Sequence, residues 1–134
     1  MRALLLVVVA LPLAVAAQDL RPGQYRTTTT TDLPEMAGKP MVEEECVTQK
    51  DVDEGLSKIG IEKESGCKVS NMKRSPGKMS YQIACQEGGM KSAGNVSGSM
   101  GADAFDFVVE MRGAQTGGKP MRTRIVGKRL GNCK

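Results

Sequence analysis

Cys67-Lys-Val-Ser-Asn-Met-Lys-Arg-Ser-Pro-Gly-Lys-Met-Ser-Tyr-Gln-Ile-Ala-Cys85 is the stretch that decides the fold. Ser75-Pro76-Gly77 is turn chemistry, because proline presets one φ and glycine supplies the positive φ that a tight reversal needs. Beyond it, Met79, Tyr81, Ile83 and Cys85 alternate with Ser80 and Gln82, the period of a half-buried strand. Two antiparallel strands joined this way keep a constant sum of opposed residue numbers. Taking Ser75 to Gly77 as a three-residue loop sets Arg74 opposite Lys78, and the same sum sets Cys67 opposite Cys85. An opposed pair of this kind brings its Cα atoms to about 4.5 Å, at the short end of what a disulfide accepts. A slip of one residue would send the two thiols to opposite faces. With four cysteines in the chain, this pairing leaves Cys46 for Cys133.

Working outward, the same alternation recurs. Ala104 to Arg112 sets Phe105, Phe107, Val109 and Met111 against Asp106, Glu110 and Arg112. Met121 to Leu130 sets Met121, Thr123 and Ile125 against Arg122 and Arg124. Met90 to Met100 follows Glu87-Gly88-Gly89, and Gly101-Ala102-Asp103 leads into the next run. Upstream, Leu20 to Thr31 holds five consecutive threonines, and such β-branched residues lose little by extending. Met41 to Val47 reads as a further strand, its Glu43-Glu44-Glu45 run marking a solvated edge. Connections this short force antiparallel neighbours. The expected fold is therefore mainly β: an antiparallel meander of about seven strands, a curved sheet or partly closed barrel, with one short helix.

That helix is predicted over Thr48 to Ile59, where Val52, Leu56 and Ile59 share one face. Thr48 is placed to cap it, with Asp51 as the carboxylate of a capping box. Lys58 suits the negative end of the helix dipole and Gly60 a stop, while Gly55 limits the length to two or three turns.

The N-terminus has a separate character. Arg2 is followed by the uncharged Leu-, Val- and Ala-rich run from Ala3 to Val15, closed by an Ala14-x-Ala16 pattern. This is the build of a cleavable signal peptide over residues 1–17. It is too short to span a membrane, which takes about 20 apolar residues. Residues 18–134 then form a single disulfide-stapled β domain, periplasmic or secreted from a bacterium, with no stable transmembrane segment after processing. The oxidising compartment and the even cysteine count suit two disulfides. So does the scarcity of large side chains, with two Tyr, two Phe and no Trp.

Segments across the whole mature chain resemble the secreted proteobacterial domain-of-unknown-function family 3617. They are Leu20-Arg21-Pro22-Gly23-Gln24-Tyr25, Cys46-Val47-Thr48 before the helix, Cys67-Lys68-Val69, the Cys85 strand with glycines after it, and Gly127-Lys128-Arg129-Leu130-Gly131-Asn132-Cys133. Tyr25 stands where such sequences commonly carry Trp, a difference of packing. The resemblance implies export and one fold, and it assigns no activity.

Composition excludes several functions. The chain has no His, so triads built on an imidazole base are absent. Its cysteines lack the close spacing of a zinc site, and no phosphate-binding glycine loop occurs. The carboxylates Asp103, Asp106 and Glu43 to Glu45 fall in a turn, on an outer face and on an edge. No catalytic, cofactor or metal residue is therefore assigned, and the site residues are the disulfide cysteines Cys46, Cys67, Cys85 and Cys133. Formal charge is +4, from 19 basic and 15 acidic residues. The basic pairs Lys73-Arg74 and Lys128-Arg129 lack interleaved aromatic residues, which argues against nucleic acid. Apart from Met1, eight methionines remain: Met36, Met41, Met72, Met79, Met90, Met100, Met111 and Met121. Thioethers bind Cu(I), but they also fill irregular cores, and Met79, Met111 and Met121 fall on inward positions. The reading is a non-enzymatic binding or accessory protein with a concave apolar sheet face for a small apolar ligand or an envelope protein. A Cu(I)-handling protein and a structural cell-envelope factor are the alternatives.

Overall fold

The computed structural model describes residues 19–54, 56, 66–113 and 117–134. The expected signal peptide, residues 1–17, and the expected helix end at Lys58, Ile59 and Gly60 lie outside them. Seven strands form one antiparallel sheet: β1 (Gly23–Thr31), β2 (Met41–Val47), β3 (Cys67–Ser75), β4 (Lys78–Glu87), β5 (Met90–Met100), β6 (Ala104–Gly113) and β7 (Met121–Gly131). β3 to β7 run as a plain meander. β7 then pairs with β1, so the order across the sheet is β2-β1-β7-β6-β5-β4-β3. The sheet stays open, with β2 and β3 as its edges, and does not close into a barrel.

The opening hairpin departs from expectation in two ways that cancel. Ser75 pairs with Lys78, so the loop is the two residues Pro76 and Gly77. Gly77 has φ 71°, and a proline followed by such a residue is the signature of a type II turn. Continued without a break, this ladder would oppose Cys67 to Gln86. Between Lys73↔Ser80 and Ser70↔Gln82, however, β3 spends one extra residue. Asn71 takes φ 51° at that bulge, a left-handed conformation to which asparagine is well suited. The extra residue restores Cys67↔Cys85. Their disulfide has a Cα–Cα distance of 4.0 Å.

α1 (Gln49–Asp53) is shorter than the two or three turns predicted. Its start follows expectation: the Thr48 hydroxyl accepts from the Asp51 N–H, and the Asp51 carboxylate accepts from the Thr48 N–H at 2.8 Å. Its end comes early because Leu56 adopts φ 55°, which a right-handed helix cannot continue, while donating its N–H to the Asp51 carbonyl. Arg74 on β3 donates to the carbonyls of Val52 and Asp53. A cation thus closes the negative end of the helix.

Inward side chains of the sheet, α1 and the lead-in to β1 make one core. Tyr25, Met79, Tyr81, Ile83, Val96, Phe105 and Phe107 come from the strands, joined by Leu20, Val47, Val52 and Leu56. Three glycines on the same face make room for larger neighbours. Phe105 lies across from Gly127 and Phe107 across from Gly98, in direct register. A Cβ on Gly127 would collide with the Phe105 ring, and one on Gly98 with the Phe107 ring. Met111 sits over Gly94 in the same way. Four aromatic residues thus fill an interior that would otherwise be thin. Tyr25 and Phe105, and Phe105 and Phe107, stack in a row with centroids 5.6 and 5.7 Å apart.

Candidate functional site

Among the described residues the middle of the sheet's apolar face is a packed core, while Val109, Met111 and Ile125 on the same face are half-buried and Val69 on edge strand β3 is exposed. Tyr25 is 0% and Phe105 2% exposed, and Met79, Tyr81, Ile83 and Phe107 are no more than 6% exposed. Much of the concave apolar face expected to hold a ligand is therefore occupied by the protein's own side chains, with α1, Leu20 and Val47 joining the same cluster. Burial pushes the Tyr81 hydroxyl up to about 12 and raises that of Tyr25. Neither phenol ionises at neutral pH, and the Tyr25 hydroxyl donates to the Arg21 carbonyl at 2.7 Å.

The methionines are spread over the sheet, apart from one opposed pair. Met79 is buried, and Met100 and Met111 pack at the margin of the core. Met111 lies opposite Met121 across β6 and β7. Met41, Met72 and Met90 are exposed, with Met41 on one edge strand and Met72 on the other.

Most segments that carry the family resemblance meet at one corner. Arg129 donates to the Pro22 carbonyl and to Asn132, and its main-chain N–H donates to the Asp103 carbonyl. Arg21 donates to the Asp103 carboxylate through Nε at 2.9 Å and also through Nη2. Gln24 pairs with both Cys46 and Gly131. The Cys46–Cys133 disulfide, Cα–Cα 5.4 Å, then fastens the end of edge strand β2 to the tail beyond β7, across the intervening β1. Every contact here holds the fold together, so this corner is a clasp and supplies no reactive group.

The other face of the sheet is polar and carries most of the described cations. It presents Lys68 and Lys73 from β3, Lys78 from β4, Lys91 from β5, Arg112 from β6, Arg122, Arg124 and Lys128 from β7, and Arg26 from β1. Against these nine cations stand four carboxylates: Glu44, Asp106, Glu110 and Asp32. Other acidic residues lie elsewhere: Glu43 and Glu45 on the inward side of β2, Asp51, Asp53 and Glu54 on or beside α1, Glu87 at the end of β4, and Asp103 before β6. Burial, with Glu43 and Asp51 nearby, holds the Glu45 carboxyl above its ordinary value.

A groove of about 780 Å³ crosses this polar face from β1 to β4. One end holds Thr30, Thr31, Asp32, Arg122 and Arg124; the floor is Gly98 and Val108, flanked by Ser97 and Ser99; Lys78 stands at the far end. Asp106 accepts from Arg124 through both carboxylate oxygens, at 2.9 and 2.5 Å. That bond holds the Asp106 carboxyl below its ordinary value. It also fixes the guanidinium while leaving Nη1 available. Asp32 accepts from the Arg122 main-chain N–H at 2.8 Å, and the Arg122 guanidinium has no carboxylate within 4 Å among the described residues. Among the described residues this arrangement shows no hydrogen-bonded nucleophile–base pair, since Asp106, opposite Ser99, is bonded to Arg124. It can bind and orient an anion.

The outward placement of Arg122 and Arg124 was legible in the alternation of β7. The groove was not, since it needs the register that brings Lys78, Ser99, Asp106 and Thr28 into one row across five strands. No helix among the described residues is long and apolar enough to cross a membrane, and no group of three or more acidic, Cys or His side chains there is placed to hold a metal ion.

Residues 20–133 match the family described as a protein of unknown function, DUF3617, and the chain belongs to that family. No curated protein and no solved structure matches it.

Proposed function

We propose that this member of the DUF3617 family is an exported, non-enzymatic binding or accessory protein that engages an anionic partner through the polar face of its sheet. The observation that carries this reading is the segregation of charge, nine cations against four carboxylates on one face. A face with such an excess of one sign raises the encounter rate with an oppositely charged partner and fixes its orientation. Export is supported by the leader-like run at residues 1–17 and by two disulfides, which persist in oxidising compartments. A non-enzymatic role is supported by the absence of His and by a groove whose ionisable groups are fixed cations and paired carboxylates. An apolar ligand fits less well, because much of the apolar face is already packed. Copper carriage fits less well too, since exposed Met41 and Met72 stand on opposite edges of the sheet.

Native mass spectrometry of protein purified from a periplasmic extract at low ionic strength tests this. The expected spectrum shows a chain beginning near Ala17 or Gln18 with an acidic adduct that is lost as salt is raised. A copper adduct or an uncharged lipid would replace the proposal with one of its rivals. Retention of residues 3 to 14 would remove the case for processing.

A further inference from the structure

We infer that the groove between Arg122 and Lys78 takes an acidic oligosaccharide. This rests on the anionic-partner reading and narrows it to one site and one chemical class. The groove has cations at both ends and serine hydroxyls between them, and its two carboxylates, Asp106 and Asp32, are already taken up by the Arg124 side chain and the Arg122 main-chain N–H. Arg124 on β7 and Lys78 on β4 are three strands apart, about 14 Å at the usual strand spacing. An extended ligand with separated anionic groups engages both ends at once. Between them stand the hydroxyls of Ser97 and Ser99, with Thr30 beside Arg124. Each hydroxyl both donates and accepts. Sugar hydroxyls answer that pattern; a peptide of acidic side chains would lay methylene groups against it. The floor at Gly98 and Val108 has no bulk to block a flat chain.

Arg124 is already oriented for such a ligand. Its Nε and Nη2 are held by Asp106, so little side-chain freedom is lost when Nη1 meets a carboxylate. Arg122 sits next to it, its guanidinium without a carboxylate partner among the described residues. Both arginines reach the same end of the groove, where an acidic sugar would place its carboxylate.

Isothermal titration of the processed protein at low salt tests the inference with four probes: a tetramer of galacturonic acid, neutral maltotetraose, a tetraglutamate peptide and inorganic phosphate. The galacturonate tetramer is expected to bind best, with Lys78→Gln and Arg122→Gln each weakening it about tenfold, the worth of one charge-assisted bond. Both positions are exposed on the sheet, so thermal unfolding of the variants should match the parent. Lys68→Gln and Lys91→Gln, on the same face outside the groove, should leave the affinity within about twofold. Equal binding of tetraglutamate or phosphate would overturn the oligosaccharide class. Equal losses at Lys68 and Lys91 would overturn the groove while leaving the charged face as the binding surface. Binding of maltotetraose with the strength of galacturonate, or of none of the four probes, would overturn this inference, and the anionic-partner reading would fall with it only if the native-state adduct were also absent.

Discussion

Inserting one alanine between Asn71 and Met72 should abolish the Cys67–Cys85 disulfide, whereas deleting Asn71 should leave it intact. The bulge supplies one extra residue to β3, so that two residues oppose Tyr81 between Lys73↔Ser80 and Ser70↔Gln82. Deleting Asn71 removes that surplus and leaves a regular ladder, with Cys67 still opposite Cys85. An insertion makes three residues oppose one, and the relaxed ladder slips by a residue. Cys67 then faces Gln86 and the two sulfurs point to opposite sides of the sheet. Losing a bridge that closes a sequence separation of 18 removes about 3 kcal/mol by loop-closure entropy. At about 4 °C per kcal/mol for a domain of this size, the melting temperature should fall by roughly 12 °C. The deletion also loses the Asn71–Gln82 side-chain bond but relieves a left-handed residue, for a net change within about 1 kcal/mol. Thiol titration under denaturing, non-reducing conditions counts free cysteines, and peptide mapping identifies any bridge. A parental yield of Cys67–Cys85 bridge in the insertion variant, or its loss in the deletion variant, would refute the register argument.

Other perturbations probe the packing and charge. Gly127→Ala should cost about 1–3 kcal/mol in denaturant unfolding, because its methyl group displaces the Phe105 ring; an unchanged midpoint would mean the ring does not lie there. Arg74→Ala frees two α1 carbonyls, and should cost about 1–2 kcal/mol and speed amide exchange at Glu54 and Leu56; exchange unchanged at those amides would count against the clamp. Glu45→Gln should stabilise the fold by a few tenths of a kcal/mol at pH 7. Because the folded-state pKa of Glu45 lies above its unfolded value, its contribution is favourable below the unfolded pKa and lost as pH rises through the folded one. The gain from the substitution should therefore disappear on acidification below about pH 4, and a gain that grows with acid would contradict the assignment.

The strands were legible because side chains alternate locally: β2 and β5 begin and end where the alternation and turns placed them, and the other strands differ by a few residues at their ends. The register of Cys67 and Cys85 was reached through a loop one residue too long and a bulge not foreseen. Only asparagine's tolerance of left-handed φ marked Asn71, and that signal is too common to locate a bulge. Pairing of β1 with β7 was not legible, since it joins residues about 100 apart that share no periodic signal. The helix was overestimated because Val52, Leu56 and Ile59 satisfy a helical period, while the left-handed turn at Leu56 is set by packing against the core. The extent to which the apolar face is covered was not legible for a related reason. Periodicity separates the two faces of a strand, but only the assembled sheet shows which face is covered.

The Cys46–Cys133 bridge makes the protein a fold with a covalent short circuit. The covalent path for tension applied between Leu20 and Lys134 runs from β1 into β2, crosses the bridge and leaves by the tail, so the β3–β7 meander lies outside it. Only the residues from Leu20 to Cys46 can extend, roughly 26 residues at about 3.4 Å each, a contour of about 90 Å. The segment behind the bridge, a sequence separation of 87, cannot be drawn out until the sulfur–sulfur bond is cut. A protein clasped in this way yields to force in one small step and shields the rest of its sheet from stretching.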